Sequence, residues 1–345
     1  PAGDLDAQQR EIHRQTQGLL QRLTPHQSTY AGGGEEIPRA GEMGVNAAAA
    51  VFTTNRFCAA PVQWSRKVVA DGHVKAVILN SGGANACTGK PGYEQSQATA
   101  EKVAELLGAS ANDVAVCSTG LIGELLPLDH VLSGTEAAFA ALSDSVEAGE
   151  NASYAIMTTD TKPKTVELEG STGFRVGGMV KGSGMIAPQL ATMLCVITTD
   201  AVVNAGQLQA ALNAGVEMSF NRIDVDGCMS TNDTVLLLAS GLSGAEIAEG
   251  TPDYDTFVAA LTEVAEHLSR ELAGDGEGAT KLLECTVTGA PDLATARAVS
   301  KSVIHSTLFK AAMFGADANW GRVLCAIGYT PGDFDISRTS VRLKS

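Results

Sequence analysis

The sequence predicts a layered α/β or α+β protein, and three observations carry that prediction. From residue 47 onward, short β-rich apolar runs alternate with stretches of helical spacing, the pattern of sheets covered by helices. Glycine supplies 37 of the 345 residues and aromatics only 5%, so backbones can approach closely and turns can be tight. No apolar run approaches the roughly 18 residues of a membrane-spanning helix. No basic segment leading into an apolar one opens the chain either. The expectation is a soluble, cytoplasmic protein.

The elements follow in order. Residues 1–45 are polar, Gln-rich and broken by Gly32-Gly33-Gly34, and they read as a peripheral segment with little strand character. Pro1 is not an initiator Met, so the chain reads as a fragment or a processed product. Val74 to Leu79 reads as a strand ending in the loop Asn80 to Ala86, and Ser96 to Leu107 as a helix. Val114 to Cys117 is a second strand entering the turn Ser118-Thr119-Gly120, and Leu128 to Leu142 a helix. Thr165 to Leu168 and Gly173 to Gly178 form a hairpin around Gly170-Ser171-Thr172.

Thr192 to Thr198 is an apolar run of strand length, followed by a helix over Gln207 to Met218 and a strand over Val235 to Ala239. Thr256 to Leu272 is a longer amphipathic helix stopped by Gly274-Asp275-Gly276. Leu282 to Val287 reads as a strand and Ala294 to Val303 as a helix. Gly315 to Trp320 is a polar loop before the apolar run Val323 to Ile327.

With 24 Lys and Arg against 39 Asp and Glu, the formal charge is −15, which repels a phosphate backbone. Nucleic acid and anionic membranes are thereby poor partners. The seven cysteines are odd in number and never spaced C-x-x-C, so they read as reduced, mostly buried thiols. The six histidines form no metal-binding spacing, and no metal is expected. Asp224-Val-Asp226-Gly, with Ser230-Thr-Asn-Asp233 behind it, lacks the spacing and terminal Glu of a calcium loop.

Four motifs carry candidate chemistry. Gly182-Ser-Gly184-Met-Ile-Ala187 fits a dinucleotide fingerprint, but Pro188 and a β-branched run stand where its helix should begin, so a plain glycine turn fits better. Ala191-Thr192 opens the following strand. A small residue before Thr leaves the Ala191 carbonyl open to the Thr192 hydroxyl, after which the freed α-amine could act as base for that hydroxyl. By residue type alone, Thr192 reads more simply as a strand residue. Ser118-Thr119-Gly120 offers a hydroxyl and backbone N–H groups suited to an oxyanion, or is an ordinary turn. Asp275-Gly-Glu277-Gly sets acids between glycines, as a ligand-approach loop or a solvated helix end.

These strings are not independent. Ala49-Ala-Val-Phe-Thr-Thr-Asn-Arg56, Asn80-Ser-Gly-Gly-Ala-Asn-Ala-Cys87 and Cys117-Ser-Thr-Gly-Leu-Ile-Gly123 come first. Ala155-Ile-Met-Thr-Thr-Asp160 and Lys181-Gly-Ser-Gly-Met-Ile-Ala-Pro188 with Ala191-Thr-Met-Leu194 follow. Ser230-Thr-Asn-Asp-Thr234, Asp275-Gly-Glu-Gly-Ala279 and Asp317-Ala-Asn-Trp-Gly-Arg322 complete the series. In order and approximate spacing, the set resembles the ornithine acetyltransferase family, the bifunctional glutamate N-acetyltransferases of arginine biosynthesis.

The resemblance implies an αβα-layered fold related to the N-terminal nucleophile enzymes, self-cleaved between Ala191 and Thr192. It implies Thr192 as nucleophile, acetylated by N-acetylornithine and deacetylated by glutamate. Thr119 and Gly120 would be the oxyanion donors, and Thr158, Lys181, Thr192 and Glu277 the substrate contacts. Lys181 is read as pairing with a substrate carboxylate and Glu277 with an ammonium. No bound cofactor is implied, though many members also accept acetyl-CoA as donor. The cleaved chains would pair as an αβ heterodimer and assemble to a heterotetramer.

On this reading residues 46–191 form the α-chain core and 192–345 the β chain. Residues 1–45 do not resemble the family's opening, and the chain stops short of its usual end, before two further substrate-binding residues. Rival readings are an acetyl-CoA-dependent N-acetylglutamate synthase or a secondary-metabolism paralogue, a truncated inactive homologue serving as a subunit or binding partner, and, last, a dinucleotide-dependent oxidoreductase.

Overall fold

The computed structural model describes residues 19–22, 47–187 and 193–344. Most of segment 1–45, together with Ala191 and Thr192, lies outside the described residues. The first half of the chain runs β1 (Leu19–Arg22), β2 (Ala47–Phe52), α1 (Ala60–Val68), β3 (Ala76–Gly83), α2 (Gly89–Leu107), β4 (Val114–Leu121), α3 (Leu128–Ala140), α4 (Val146–Ala155), β5 (Lys164–Glu169) and β6 (Arg175–Lys181). The second half runs β7 (Leu194–Thr199), α5 (Ala205–Met218), β8 (Thr234–Ala239), α6 (Pro252–Gly274), α7 (Leu293–His305), α8 (Thr307–Phe314) and α9 (Trp320–Gly328).

Two sheets result. The larger has the order β2-β8-β7-β6-β5, with β7 and β8 parallel and the other neighbours antiparallel. The smaller has the order β1-β3-β4, with β3 and β4 parallel. The period of 2 along each strand of the larger sheet sorts its side chains between two cores. Val176, Val180, Cys195, Ile197, Val235 and Leu237 face one core, which α5 and α6 complete through Leu208, Leu212, Phe257, Leu261 and Leu268. Met179, Leu194, Val196, Leu236 and Leu238 face the other, shared with the smaller sheet and with Trp64 of α1 and Val103 of α2. Because both faces of β8 are covered, Leu236-Leu237-Leu238 is a continuous apolar run with no exposed residue.

Helix α6 shows how local signals set an element. Thr251 caps its start by accepting from the Tyr254 amide, Pro252 opens the first turn, and Asp253 and Asp255 sit at the positive end. Its buried stripe lays Phe257 edge-on to Phe174, ring centroids 5.4 Å apart. The helix ends at Gly274, which delivers Asp275 and Glu277 to the site.

Several expectations need correction. Leu19–Arg22 is a strand despite its polar sequence, because β3 supplies a backbone ladder to pair with. Leu282 to Val287 is not a strand, since no described neighbour takes its ladder hydrogen bonds. The apolar run Val323 to Ile327, to which the sequence alone assigns no element type, lies within helix α9. Thr119 and Gly120 are not in a turn; strand β4 runs through them to Leu121. Of the seven cysteines, all free, only Cys117 and Cys195 are buried, both in strands. Burial pushes the Cys117 thiol up to about 12. Among the described residues no helix is long and apolar enough to cross a membrane.

Candidate active site

The site is assembled where β4 and β6 end. At the end of β4 the chain passes so close to β3 that only glycine fits at position 120. Its φ is +132°, and a Cβ would lie 2.2 Å from the Gly82 carbonyl carbon and 2.4 Å from its oxygen. That close approach fixes the backbone just past Thr119, whose residue is 2% exposed.

Lys181, the last residue of β6, points at this place from the other sheet. Its Nζ donates to Thr119 Oγ1 at 3.2 Å and to Thr158 Oγ1 at 2.8 Å, and lies 3.8 Å from Asp160 Oδ2. Three sequence-predicted residues from three distant segments therefore meet around one ammonium. Burial pushes that ammonium below the usual lysine range, and Asp160 opposes the fall.

Behind Lys181 lies an ion triad with almost no exposed surface. Lys164 Nζ donates to Asp160 Oδ1 at 2.7 Å and to Asp275 Oδ2 at 2.6 Å. Asp160 also accepts from the Gly182 amide at 2.6 Å and the Thr158 amide at 3.1 Å. Asp275 accepts from the amide and hydroxyl of Thr161. Burial raises both carboxyls, but the neighbouring ammonium groups and amides win and hold them below the ordinary carboxylate range. Asp275 is thus a buried ion-pair partner and not part of a solvated helix end; a nearby buried cation required it there.

Glu277 is exposed and follows two residues later. Its amide donates to the Ser183 carbonyl at 3.0 Å, and Ser183 Oγ donates to the Asp275 carbonyl at 2.6 Å. Gly184 makes room for the Glu277 carboxylate: a Cβ there would stand 2.7 Å from Glu277 Cδ. Gly184 thus serves close contact with Glu277, as a plain turn would not require. The far side of the same loop is pinned by Asp226, which accepts from the Met185 amide at 2.5 Å and the Ile186 amide at 3.0 Å.

Asp224, beside it, is taken by Lys310 and by His305 Nδ1 at 2.7 Å. The Asp224-Val-Asp226 string is therefore a brace between the loop and helices α7 and α8. Among the described residues no group of three or more His, Cys, Asp or Glu is arranged to hold a metal.

At the start of β7, Asp233 Oδ1 accepts from the Met193 amide at 3.2 Å, and its Oδ2 is buried with no hydrogen-bond partner among the described residues. Burial pushes this carboxyl well above its ordinary range. Asn232, next to it, donates to the carbonyls of Ala84 at 2.6 Å and Ser118 at 2.8 Å, tying β8 to the ends of β3 and β4.

Sequence reasoning missed Asp160, Lys164, Asp226, Asn232 and Asp233 as working residues. Each sits in or beside a string that was singled out, but its role depends on a partner about 20 to over 100 positions away. Pattern within a window carries no such information.

A layered α/β core that buries a lysine against two threonine hydroxyls, one of them next to a position that only glycine can occupy, has the polar, preorganised strand ends of an enzyme site. Residues 42–345 match the ArgJ family, and the chain belongs to that family. The arginine biosynthesis bifunctional protein ArgJ of Bifidobacterium longum is 66% identical over 300 residues, 86% of this chain and 75% of that protein. The ArgJ protein of Thermobifida fusca is 51% identical over 298 residues, 86% of this chain and 76% of its own. A crystal structure of ornithine acetyltransferase complexed with ornithine from Mycobacterium tuberculosis is 46% identical, covering 44% of this chain and 78% of that one, with a TM-score of 0.41.

Proposed function

We propose that this chain moves the acetyl group of N2-acetylornithine to glutamate through an acetyl-Thr192 intermediate, in arginine biosynthesis. Family membership supports the reaction, and one structural observation carries it to these residues: Thr119, Thr158 and Lys181 meet at the strand ends next to Gly120, with Glu277 across the glycine loop.

In the proposed sequence the Thr192 hydroxyl attacks the acetyl carbonyl carbon. A C–O bond forms, the hydroxyl proton passes to the α-amine freed by self-cleavage after Ala191, and the carbonyl oxygen becomes an oxyanion. Thr119 O–H and the Gly120 N–H are the assigned donors to that oxyanion. Collapse breaks the C–N bond, and the proton returns to the departing ornithine amine. Glutamate's amine then attacks the acetyl ester, reversing the roles and yielding N-acetylglutamate.

The donor brings its acetyl group as an amide and the acceptor takes it as one, so the exchange balances without a redox or metal step. Acetyl-CoA enters this scheme only as an alternative donor. The two cleaved pieces remain together as an αβ unit in the cytoplasm and associate further to a heterotetramer.

Mass spectrometry tests the proposal. Intact protein should resolve into pieces ending at Ala191 and beginning at Thr192. Incubation with N-acetylornithine should add one acetyl group to the second piece, and glutamate should remove it. A folded protein that stays one chain and takes up no acetyl group would overturn the reading.

A further inference from the structure

Asp233 is a buried acid to which the proposed reaction gives no task. It stands one residue before β8 with no exposed surface. Its carbonyl accepts from the Thr53 amide at 2.9 Å, and its Oδ1 accepts from the Met193 amide at 3.2 Å. The next amide, that of Thr234, donates to the Met193 carbonyl at 3.1 Å, so residues 233 and 234 clasp Met193 from both sides. Asp233 Oδ2 meets no hydrogen-bond partner among the described residues. A carboxyl oxygen buried in that way costs stability unless something else makes use of it.

Chain connectivity says which atom is close by. The Met193 nitrogen is bonded to the Thr192 carbonyl carbon, and three backbone bonds separate it from the Thr192 nitrogen. Whatever the intervening angles, the two nitrogens are within about 4 Å of each other. In self-cleavage the Thr192 nitrogen is an amide before the cut and an amine after it. The Thr53 hydroxyl is engaged elsewhere, donating to the Ser230 carbonyl at 2.7 Å. Burial pushes the Asp233 carboxyl well above its ordinary range, against the Met193 amide, the Ser230 and Thr53 hydroxyls and the Lys181 ammonium at the end of β6, which favour the charged form. Asp233 therefore keeps a proton where surface carboxylates have lost theirs.

We infer that Asp233 is the acid of the self-cleavage step: it gives a proton to the Thr192 nitrogen as the bond to Ala191 breaks, and takes back the one lost by the Thr192 hydroxyl. This rests on the acetyl-Thr192 reading above, which needs that nitrogen freed. The hydroxyl oxygen adds to the Ala191 carbonyl carbon, and a C–O bond forms. Collapse breaks the C–N bond, whose electron pair stays on nitrogen, and the Asp233 proton makes that nitrogen an amine. The hydroxyl proton restores the carboxyl, so Asp233 ends as it began. Water then opens the ester, returning the Thr192 hydroxyl and releasing Ala191 as a carboxylate and a proton. An amide nitrogen leaves poorly until it is protonated, and a buried acid supplies that proton.

Cell-free translation of the full chain, followed over time on a denaturing gel, tests this. Asp233→Asn has the same shape and still accepts from the Met193 amide, but it carries no acidic proton. Scission is expected to slow by about 100-fold or more, the loss of a general acid, with Tm within about 3 °C of wild type. Asp233→Glu keeps the acid while disturbing the packing, and it should cleave faster than Asp233→Asn. A merely structural residue would give the reverse order. In wild type the scission rate should fall toward alkaline pH as the carboxyl loses its proton, and in Asp233→Asn it should not.

Scission of Asp233→Asn within about 3-fold of wild type, or a folded Asp233→Glu that cleaves more slowly than Asp233→Asn, would overturn the inference. If Asp233→Asn does not fold, the wild-type profile decides: a scission rate that does not fall toward alkaline pH overturns it. A wild-type chain that folds and never cleaves would instead remove the acetyl-Thr192 reading, and this inference with it.

Discussion

Lys164→Met removes the cation from the buried triad and leaves its two anions in place. The wild-type Nζ lies 2.7 Å from Asp160 Oδ1 and 2.6 Å from Asp275 Oδ2, with no exposed side-chain surface. Methionine fills most of the same volume, so the loss is electrostatic and not a cavity. Removing one member of a buried pair costs about 3–5 kcal/mol, because an uncompensated charge stays behind. One cation here serves two carboxylates, while Thr161, Gly182 and the more distant Lys181 soften the blow. The upper half of that range, about 4–5 kcal/mol, follows.

At roughly 2 °C per kcal/mol for a chain of this size, Tm should fall by about 8–10 °C, read by circular dichroism at pH 7.5. The pH dependence adds a second check. Asp160 and Asp275 are held below the ordinary carboxylate range, so the stability they contribute is present above it and lost as pH falls through their lowered values. Without Lys164 they titrate at higher pH, and protonation removes the uncompensated charge. The gap between variant and wild type should therefore narrow below about pH 5. A Tm within about 2 °C of wild type at neutral pH, or a gap that stays constant into acid, would refute the reasoning.

Three further outcomes follow from the same geometry. Thr119→Ala should lower kcat by about 10²–10³ with an unchanged melting curve, the loss expected for one oxyanion donor. Gly184→Ala places a methyl 2.7 Å from the Glu277 carboxyl carbon, at the far end of a flexible side chain. It should raise KM for an amino-acid substrate about 10-fold, a little over 1 kcal/mol of lost contact, with Tm almost unmoved. Gly120→Ala meets backbone instead, with Cβ 2.2 Å from the Gly82 carbonyl carbon. That variant should lose roughly 3 kcal/mol or more of stability, visible as loss of soluble protein or a lowered urea midpoint.

Much of the fold was legible because the signals were local. The apolar run at β8, the Gly170 hairpin and the capped helix α6 each announce themselves within a dozen residues. Leu19–Arg22 and Leu282–Val287 show the limit from both sides. The first has weak β character and finds a ladder, while the second has strong β character and finds none among the described residues. Strand formation is a property of the pair, and one window holds half of it.

The site divides in the same way. Thr119, Thr158, Lys181 and Glu277 could be marked by family resemblance, and the structure brings the first three together. That Lys181 faces hydroxyls, and that Asp275 is buried against Lys164, depend on contacts between segments 62 and 111 residues apart.

The order of the larger sheet, β2-β8-β7-β6-β5, has a consequence for how such a chain can be made. If the backbone is opened after residue 191, β2, β5 and β6 belong to one piece and β7 and β8 to the other. The seam then crosses the sheet twice, along two ladders of six register pairs each. Neither piece can leave without baring strand edges in the centre of a hydrophobic sheet, a surface that invites aggregation. The interleaving also sets an order of events: the sheet must be complete before the cut, because two separate pieces would have to thread their strands together from dilute solution. Scission after residue 191 would in this topology be a finishing step performed on a folded object, and the assembled sheet would keep the product whole.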